Sequence, residues 1–205
     1  MKIYSYVIPR DYGFAPNPYF NYCTLATCKP RIRKSAQVGD WIAAFGAANT
    51  PIRGRLVMLM RVEEILTFDE YWEDKRFVCK RPVFNRGVTD MYGDNIYHHV
   101  DDEWKQEYSH HSEVDGGVNY INLNRDTSAD RVLIAEHFYY FGNNAITLPE
   151  EFEKLIGRGR NHSVCNDQSI IVEFVNYIRN NYVEGIQGVP YSRKTGKFVH
   201  YKGEK

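Results

Sequence analysis

The sequence predicts an α+β fold in which a curved mixed β-sheet, or a barrel, is flanked by a few helices. An apolar run from Arg55 to Ile65 is too dense for a solvent-facing edge and predicts a central strand. The capping box at Thr67-Phe68-Asp69-Glu70 follows directly and predicts a helix over about residues 68–75. Apolar residues at helical spacing from Ile170 to Tyr182 predict a longer helix near the end of the chain.

The other predicted elements are shorter and follow turn-forming residues. Strands are predicted at 2–8, 41–45, 131–135 and 138–141, and helical turns at 31–36 and 149–156. Asn166 or Asp167 is expected to cap the long helix, and Gly185 to end it. Residues 77–131 have weak periodicity apart from β-like pieces such as Asn119–Leu123, which favours a ligand-facing insertion. The tail from Gly188 to Lys205 is expected to be partly mobile.

Length and composition bound the class of protein. The 205 residues fit one domain spanning 1–205. Lysine plus arginine balances aspartate plus glutamate, 26 against 26, so a local anionic ligand fits better than a long DNA duplex. Four scattered cysteines and the lack of a leading apolar run predict a cytoplasmic protein, and no segment approaches the roughly 18 apolar residues of a membrane span. The oligomeric state stays open.

Four of the seven histidines fall within fourteen residues, at His98, His99, His110 and His111. Histidine transfers protons near neutral pH, so His98 and His110, with Asp94, are the candidate catalytic residues. Neighbours on a strand point to opposite faces, and no short metal-binding motif is present. We therefore predict no metal site, while a metal-dependent enzyme built on the histidines stays open as an alternative.

A turn between two tyrosines offers groups that suit a nucleobase. Tyr92 and Tyr97 bracket Gly93-Asp94-Asn95. Aromatic faces stack on the plane of a base, while a carboxylate and an amide pair with its edge. We expect Tyr92 and Tyr97 to wall a base and Asp94 and Asn95 to read it, with an ordinary turn as the alternative.

Two loops supply the remaining candidate contacts. The first follows the predicted first strand, and its candidate ligand-binding residues are Arg10, Asp11, Tyr12 and Asn17. The second alternates glycine and arginine before the long helix, so Arg158 and Arg160 are expected to attract phosphate, with a solvated basic loop as the alternative.

Nucleophilic catalysis has no motif in this sequence. Cys23, Cys28 and Ser109 are conceivable nucleophiles beside a histidine. Cys28 precedes Lys29, whose charge favours a thiolate, but a buried structural cysteine is the more common case. The residues alone predict no reaction.

Several segments together resemble the second type of nucleotide modification associated domain, a bacterial and phage family linked to hypermodified DNA bases. They are Arg10 to Pro18, Cys23 to Ala26, Cys28 to Pro30, Gly39 to Trp41, Tyr92 to His98, Phe138 to Gly142 and Gly157 to Arg160. This resemblance runs from Met1 to about His162 and implies a role in nucleotide modification without specifying a reaction or cofactor. The order of elements around Gly39-Asp40 is also similar to the opening of PUA, ASCH and EVE barrels, which implies a PUA-like barrel.

These observations favour a nucleotide or DNA base modification protein with an aromatic and polar pocket for a nucleotide or modified nucleobase. The setting implied by the resemblance is DNA modification or phage defence, with local contact to DNA or RNA. A non-enzymatic reader of modified nucleic acid is the alternative from a different class, and whether the protein catalyses a reaction stays open.

Overall fold

The computed structural model describes residues 1–157, 162–193 and 197–203. Its strands are β1 Ile3–Ile8, β2 Cys23–Leu25, β3 Trp41–Gly46, β4 Leu56–Arg61, β5 Glu64–Leu66, β6 Tyr97–Val100, β7 Glu103–Gln106, β8 Val132–Ala135, β9 Phe138–Tyr140, β10 Ser163–Cys165 and β11 Gly185–Ile186. Its α-helices are α1 Pro30–Ser35, α2 Phe68–Glu73, α3 Val88–Met91, α4 Tyr120–Thr127 and α5 Gln168–Asn181. Short 3-10 helices occupy Lys75–Lys80, Gly142–Asn144 and Glu150–Leu155.

A six-stranded mixed sheet forms the centre of the fold, in the order β10-β1-β3-β4-β9-β11. Strand β1 runs parallel to β3, and β3 is antiparallel to β4. A three-stranded sheet, β2-β8-β5, and the β6-β7 hairpin accompany it. The predicted α+β class with a mixed sheet and flanking helices is confirmed, and the described sheet is open rather than a closed barrel.

The two faces of the large sheet bury different apolar clusters. Alternate residues of β1 divide between them, with Tyr4 and Tyr6 in one cluster and Ile3 in the other. Helix α5 covers the Ile3 face, where its Ile171, Phe174 and Ile178 are buried. A third cluster, which includes Phe68, Phe77 and Tyr97, fills the interior of the segment between β5 and β8. That segment therefore has its own core and is not a bare loop.

Two predicted helix starts are confirmed by their hydrogen bonds. The Thr67 hydroxyl accepts from the backbone N–H of Glu70 at 3.2 Å, and the Glu70 carboxylate accepts from the N–H of Thr67 at 2.7 Å. Asp167 caps α5 by accepting from the N–H groups of Ser169 and Ile170. Both caps satisfy backbone donors that have no partner inside a helix.

Three predictions about individual helices and strands are wrong. The run from Arg55 to Ile65 forms two strands, because Glu63 N–H leaves the large sheet and donates to Ile134 O at 2.9 Å. Asn119–Leu123 is not a β-like piece, since the Asn119 side chain caps α4 by accepting from the N–H of Asn122. Helix α5 ends before Gly185, which has a φ of +96° and begins β11.

The described end of the tail lies against the insertion between β5 and β8. Val199 N–H donates to the Tyr92 hydroxyl at 3.0 Å, and Tyr201 N–H donates to His110 O at 2.7 Å. The Asn122 amide donates to Tyr201 O at 2.6 Å. Within the described ranges, none of the helices combines the length and the apolar character that crossing a bilayer requires.

Candidate functional site

A cysteine, a histidine and an aspartate stand in line beside this tail. The Cys28 sulfur lies 3.8 Å from Nε2 of His111. On the opposite side of the same ring, Nδ1 of His111 lies 2.7 Å from Oδ2 of Asp126. Cys28 is partly exposed, whereas His111 and Asp126 are buried. Cys28 is therefore the end of the line that lies nearest the surface.

The backbone at Cys28 and Lys29 adopts a strained, left-handed conformation. Cys28 and Lys29 have φ values of +56° and +42°, between the end of β2 and Pro30, the first residue of α1. Left-handed non-glycine residues cost of order 1–3 kcal/mol each and persist where the surroundings hold them. Here Cys28 N–H donates to Oδ1 of Asp126 at 2.9 Å, so the carboxylate that orients the imidazole also holds the cysteine backbone.

Asp126 lies in the last turn of α4 and is the centre of a buried polar network. The Tyr97 hydroxyl donates to its Oδ2 at 3.0 Å, and Nε of Arg125 donates to its Oδ1 at 2.9 Å. Burial opposes ionisation, but His111 and Arg125 outweigh it and lower the pKa of Asp126. The carboxylate is therefore ionised at neutral pH.

The thiol and the imidazole favour each other's charged forms. Burial alone raises the pKa of Cys28, but the charge and hydrogen bond of His111 overcome it, so the pKa lies below the ordinary thiol value. Burial alone lowers the pKa of His111, but Asp126 and Cys28 overcome it and raise that pKa. His111 thus favours the thiolate of Cys28, and Cys28 favours the imidazolium of His111, which is the direction of shift that activates a cysteine nucleophile.

The same three residues also place their ligand atoms within 4.8 Å of one another, as a metal site requires. The orientation of the ring argues against shared ligation, because Cys28 faces Nε2 and Asp126 faces Nδ1. The other carboxylate oxygen, Oδ1, already accepts from Cys28 N–H and from Nε of Arg125. The geometry instead fits a nucleophile, a base and a residue that orients the base.

Aromatic rings and two arginines surround the imidazole. The Phe14 and Tyr201 rings lie 4.6 Å and 5.5 Å from the His111 ring, centroid to centroid. The guanidinium carbons of Arg10 and Arg125 each lie 5.5 Å from the centre of the Tyr201 ring. The thiol thus lies in an aromatic and cationic environment.

The two predicted catalytic histidines are in different places. His110 contacts the His111 ring at 5.5 Å, and Nδ1 of His110 bonds the carbonyl of Val199. Burial, aided by the charge of His111, lowers the pKa of His110 to about 3, so it is neutral. His98 stacks on Trp72 at 3.9 Å and bonds Glu107, lining a shallow surface pocket. The structure brings His110, but not His98, next to His111, the partner of Cys28.

The predicted base-reading turn is buried. Asp94 accepts from the Tyr71 hydroxyl at 2.9 Å and from Thr24 at 2.5 Å, and burial raises its pKa against the charge of Lys80. The Asn95 amide donates to Tyr71 O at 2.9 Å. Both residues hold the insertion to its neighbours, and their predicted ligand contacts stay predictions.

The predicted loop contacts are divided between the interior and the surface. Asp11 is buried and accepts from the Tyr140 hydroxyl at 2.6 Å, and the Asn17 amide donates to Tyr92 O at 3.0 Å. Tyr12 stacks on Tyr92 at 5.2 Å, and the two rings form one wall beside His110. Arg10 is exposed beside Tyr201. Arg158 and Arg160 lie outside the described residues.

Cys28 has no supporting motif as a nucleophile in the sequence, and neither His111 nor Asp126 is among the site residues predicted from it. Cys28 is separated from His111 by 83 positions and from Asp126 by 98, so no short motif records the line of three. Two features of the sequence could have indicated the site: Lys29, the cation after Cys28, and His111, the second histidine of Ser109-His110-His111.

A family model described as nucleotide modification associated domain 2 matches residues 1–197 of the chain. No curated protein and no solved structure is significantly similar to it.

Proposed function

The chain belongs to the nucleotide modification associated domain 2 family, and on that premise we propose that it is an enzyme that modifies a nucleotide or nucleobase through a covalent bond to Cys28. The observation that carries the proposal is the line from the Cys28 thiol through the His111 imidazole to the Asp126 carboxylate. A nucleophile, a base in reach of it and an orienting acid are the components of covalent catalysis.

Acyl transfer is the reaction class that this arrangement suits best. His111 takes the proton of Cys28, and the thiolate attacks the carbonyl carbon of an acyl donor. The leaving group departs with the proton from His111, which leaves a thioester. An amine of the nucleobase, or water, then gives a proton to His111 and attacks the thioester, and the thiolate departs and is reprotonated.

Asp126 keeps the ring of His111 in the required orientation through both steps. Its Oδ2 bonds Nδ1, which leaves Nε2 to exchange the proton with Cys28. Beside the imidazole, the Tyr12 ring stacks on Tyr92, and both rings contact His110. Tyr92 and His110 are buried, so the partly exposed Tyr12 is the residue that we propose to contact the base.

A reader of modified nucleic acid is the rival function, but it would need only a pocket. Ionised groups are costly to bury unless they are paired. Asp126 and Arg33 are buried together with His111, and the charge and hydrogen bond of His111 favour the thiolate of Cys28. This arrangement supports turnover over recognition alone.

Acetyl transfer from p-nitrophenyl acetate tests the proposal without knowledge of the natural donor. We expect a burst of nitrophenolate and an acetyl group on Cys28 in peptide mass spectra, both lost in Cys28→Ala and much reduced in His111→Gln. Cys79→Ala, which removes an exposed cysteine, is the matched control and should retain both.

Acetylation of Cys79 at the same rate as Cys28, or labelling of Cys28 that His111→Gln leaves unchanged, would contradict covalent catalysis. The acetylated protein is then mixed with each common deoxynucleotide, and the products are analysed by mass spectrometry. An acetylated nucleotide would identify the acceptor.

A further inference from the structure

The environment of Cys28 is positively charged although the whole chain is balanced at 26 basic and 26 acidic residues. Lys29 follows the thiol, and the pKa shifts of Lys29, Arg33 and Arg125 each respond to the charge of Cys28. The buried Asp126 is the carboxylate that opposes these charges at the thiol. The local excess of positive charge persists with Cys28 as a thiolate, and it favours an anionic substrate.

Two arginines converge at the edge of this site. The guanidinium carbons of Arg10 and Arg125 are each 5.5 Å from the centre of one ring, that of Tyr201. The chain segments that carry them are far apart in sequence, so it is the fold that brings both to the same aromatic ring. The Tyr201 ring in turn lies 5.5 Å from the His111 ring, which places the arginines beside the reacting pair.

Both guanidinium groups have donors left for a ligand. None of the ion pairs between described residues involves Arg10, whose side chain is exposed. Arg125 uses Nε to bond Asp126, and one of its two amino groups lies 3.4 Å from Nδ1 of His111, while 27 % of its side chain remains accessible. Guanidinium donors form paired hydrogen bonds with phosphate oxygens, and these are stronger than a contact with an aromatic face.

We propose that Arg10 and Arg125 form an anion subsite that holds the phosphate of the nucleotide next to Cys28. The inference rests on the proposed function and specifies its substrate class as a phosphate-bearing nucleotide rather than a free base or nucleoside. The phosphate is either the monoester of a free nucleotide or a diester of a nucleic acid. Binding replaces the contact of the two guanidinium groups with Tyr201.

Protection of Cys28 from iodoacetamide tests the subsite. The probes are the four deoxynucleoside 5′-monophosphates, their parent nucleosides, inorganic phosphate and a single-stranded oligonucleotide without terminal phosphate, all at equal ionic strength because screening weakens such contacts. We expect the monophosphates or the oligonucleotide to slow alkylation of Cys28 at least threefold at concentrations where the nucleosides have no effect. The stronger of the two identifies the source of the phosphate.

The variant Arg10→Gln should abolish most of this protection. Arg125 is unsuitable for the test, because it bonds the carboxylate that orients His111. Arg179→Gln is the matched control, since Arg179 is an exposed arginine on α5, against the opposite face of the sheet, and its protection should equal that of the wild type.

Equal protection by nucleosides, protection that survives Arg10→Gln, or no protection by any probe at millimolar concentration would overturn the subsite. Acetylation of Cys28 by p-nitrophenyl acetate requires no phosphate and is measured separately. Failure of the subsite with acetylation retained therefore leaves covalent catalysis standing, and loss of acetylation rejects covalent catalysis itself.

Discussion

His111 directs one ring nitrogen at Asp126 and the other at Cys28, with Nδ1 2.7 Å from Oδ2 of the carboxylate. Asp126 also accepts the backbone N–H of Cys28 at 2.9 Å. One buried carboxylate therefore sets both the orientation of the base and the backbone conformation of the nucleophile. Loss of that carboxylate should affect reactivity and stability together, whereas loss of the thiol should affect reactivity alone.

The alkylation of Cys28 should depend on pH through its lowered pKa. The rate with iodoacetamide should reach half its plateau below about 8.5, the ordinary thiol value, because His111 favours the thiolate. In His111→Gln, burial and the charge of Asp126 still raise the pKa of Cys28 and only Arg125 lowers it, so the midpoint should rise above that value. Peptide mass spectrometry gives both rates, and exposed Cys79 in the same sample is the internal control. Identical midpoints in the two proteins would contradict the pairing.

Replacement of Asp126 should destabilise the fold. Asp126→Ala leaves the buried charges of Arg33 and His111 without a counter-charge, and removal of one partner of a buried pair costs about 3–5 kcal/mol. Asp69→Ala is the matched control, because Asp69 bonds His99 near the surface, where such pairs contribute about 0–1 kcal/mol. Urea unfolding measures both free energies. Equal losses of unfolding free energy in the two variants would show that the buried network stabilises the fold no more than a surface pair does.

The sequence predicted the local elements of the fold well because their signals are local. The capping box of α2, the apolar face of α5 and the apolar residues of β4 are each readable within a few positions. The break in the strand at Glu63 was missed because it depends on pairing with Ile134, 71 positions away.

The site was harder to predict because its geometry is global. His110 and His111 are adjacent and chemically identical in sequence, and only the turn that contains them decides which one meets Cys28. The predicted aromatic setting is present, since Tyr12 and Tyr92 stack beside His110. No periodicity or spacing in the sequence could place Asp126 next to Nδ1 of His111.

His110 should make the folded state sensitive to acid. The unfolded chain protonates this histidine near the ordinary pKa of about 6.5, whereas the folded chain does so at about 3. Above about pH 6.5 the histidine is neutral in both states. As the pH falls below that value, the unfolded chain binds a proton that the folded chain does not, so the free energy of unfolding decreases by about 1.4 kcal/mol per pH unit. His110→Asn keeps a donor for Val199 O but does not titrate there. Urea unfolding at pH 7 and pH 5 should show a smaller loss in the variant, and equal losses would refute the assignment.

Replacement of Asp94 distinguishes a structural role of this residue from a catalytic one. Lys80 is fully buried near it and donates to Asn17 Oδ1 at 2.9 Å, and the charge of Asp94 opposes the lowering of the Lys80 pKa by burial. Asp94→Asn should therefore destabilise the protein by about 3 kcal/mol, and Lys80→Met in the same chain should recover part of the loss. Unfolding free energies and the transfer of an acetyl group to a deoxynucleotide are measured together. Loss of nucleotide modification without loss of stability would instead support the predicted catalytic role.

Tyr201 should control which reagents reach the Cys28 site. Its ring lies 5.5 Å from that of His111, and its backbone is held by hydrogen bonds to His110 and Asn122. Tyr201→Ala removes the ring but keeps those bonds, so alkylation by a bulky pyrene maleimide should accelerate more than alkylation by iodoacetamide. Tyr201→Phe keeps the ring and should retain the wild-type ratio of the two rates. An unchanged ratio in Tyr201→Ala would show that the ring does not restrict access, whereas an equal fall in both rates would show that it maintains the thiolate by positioning His111.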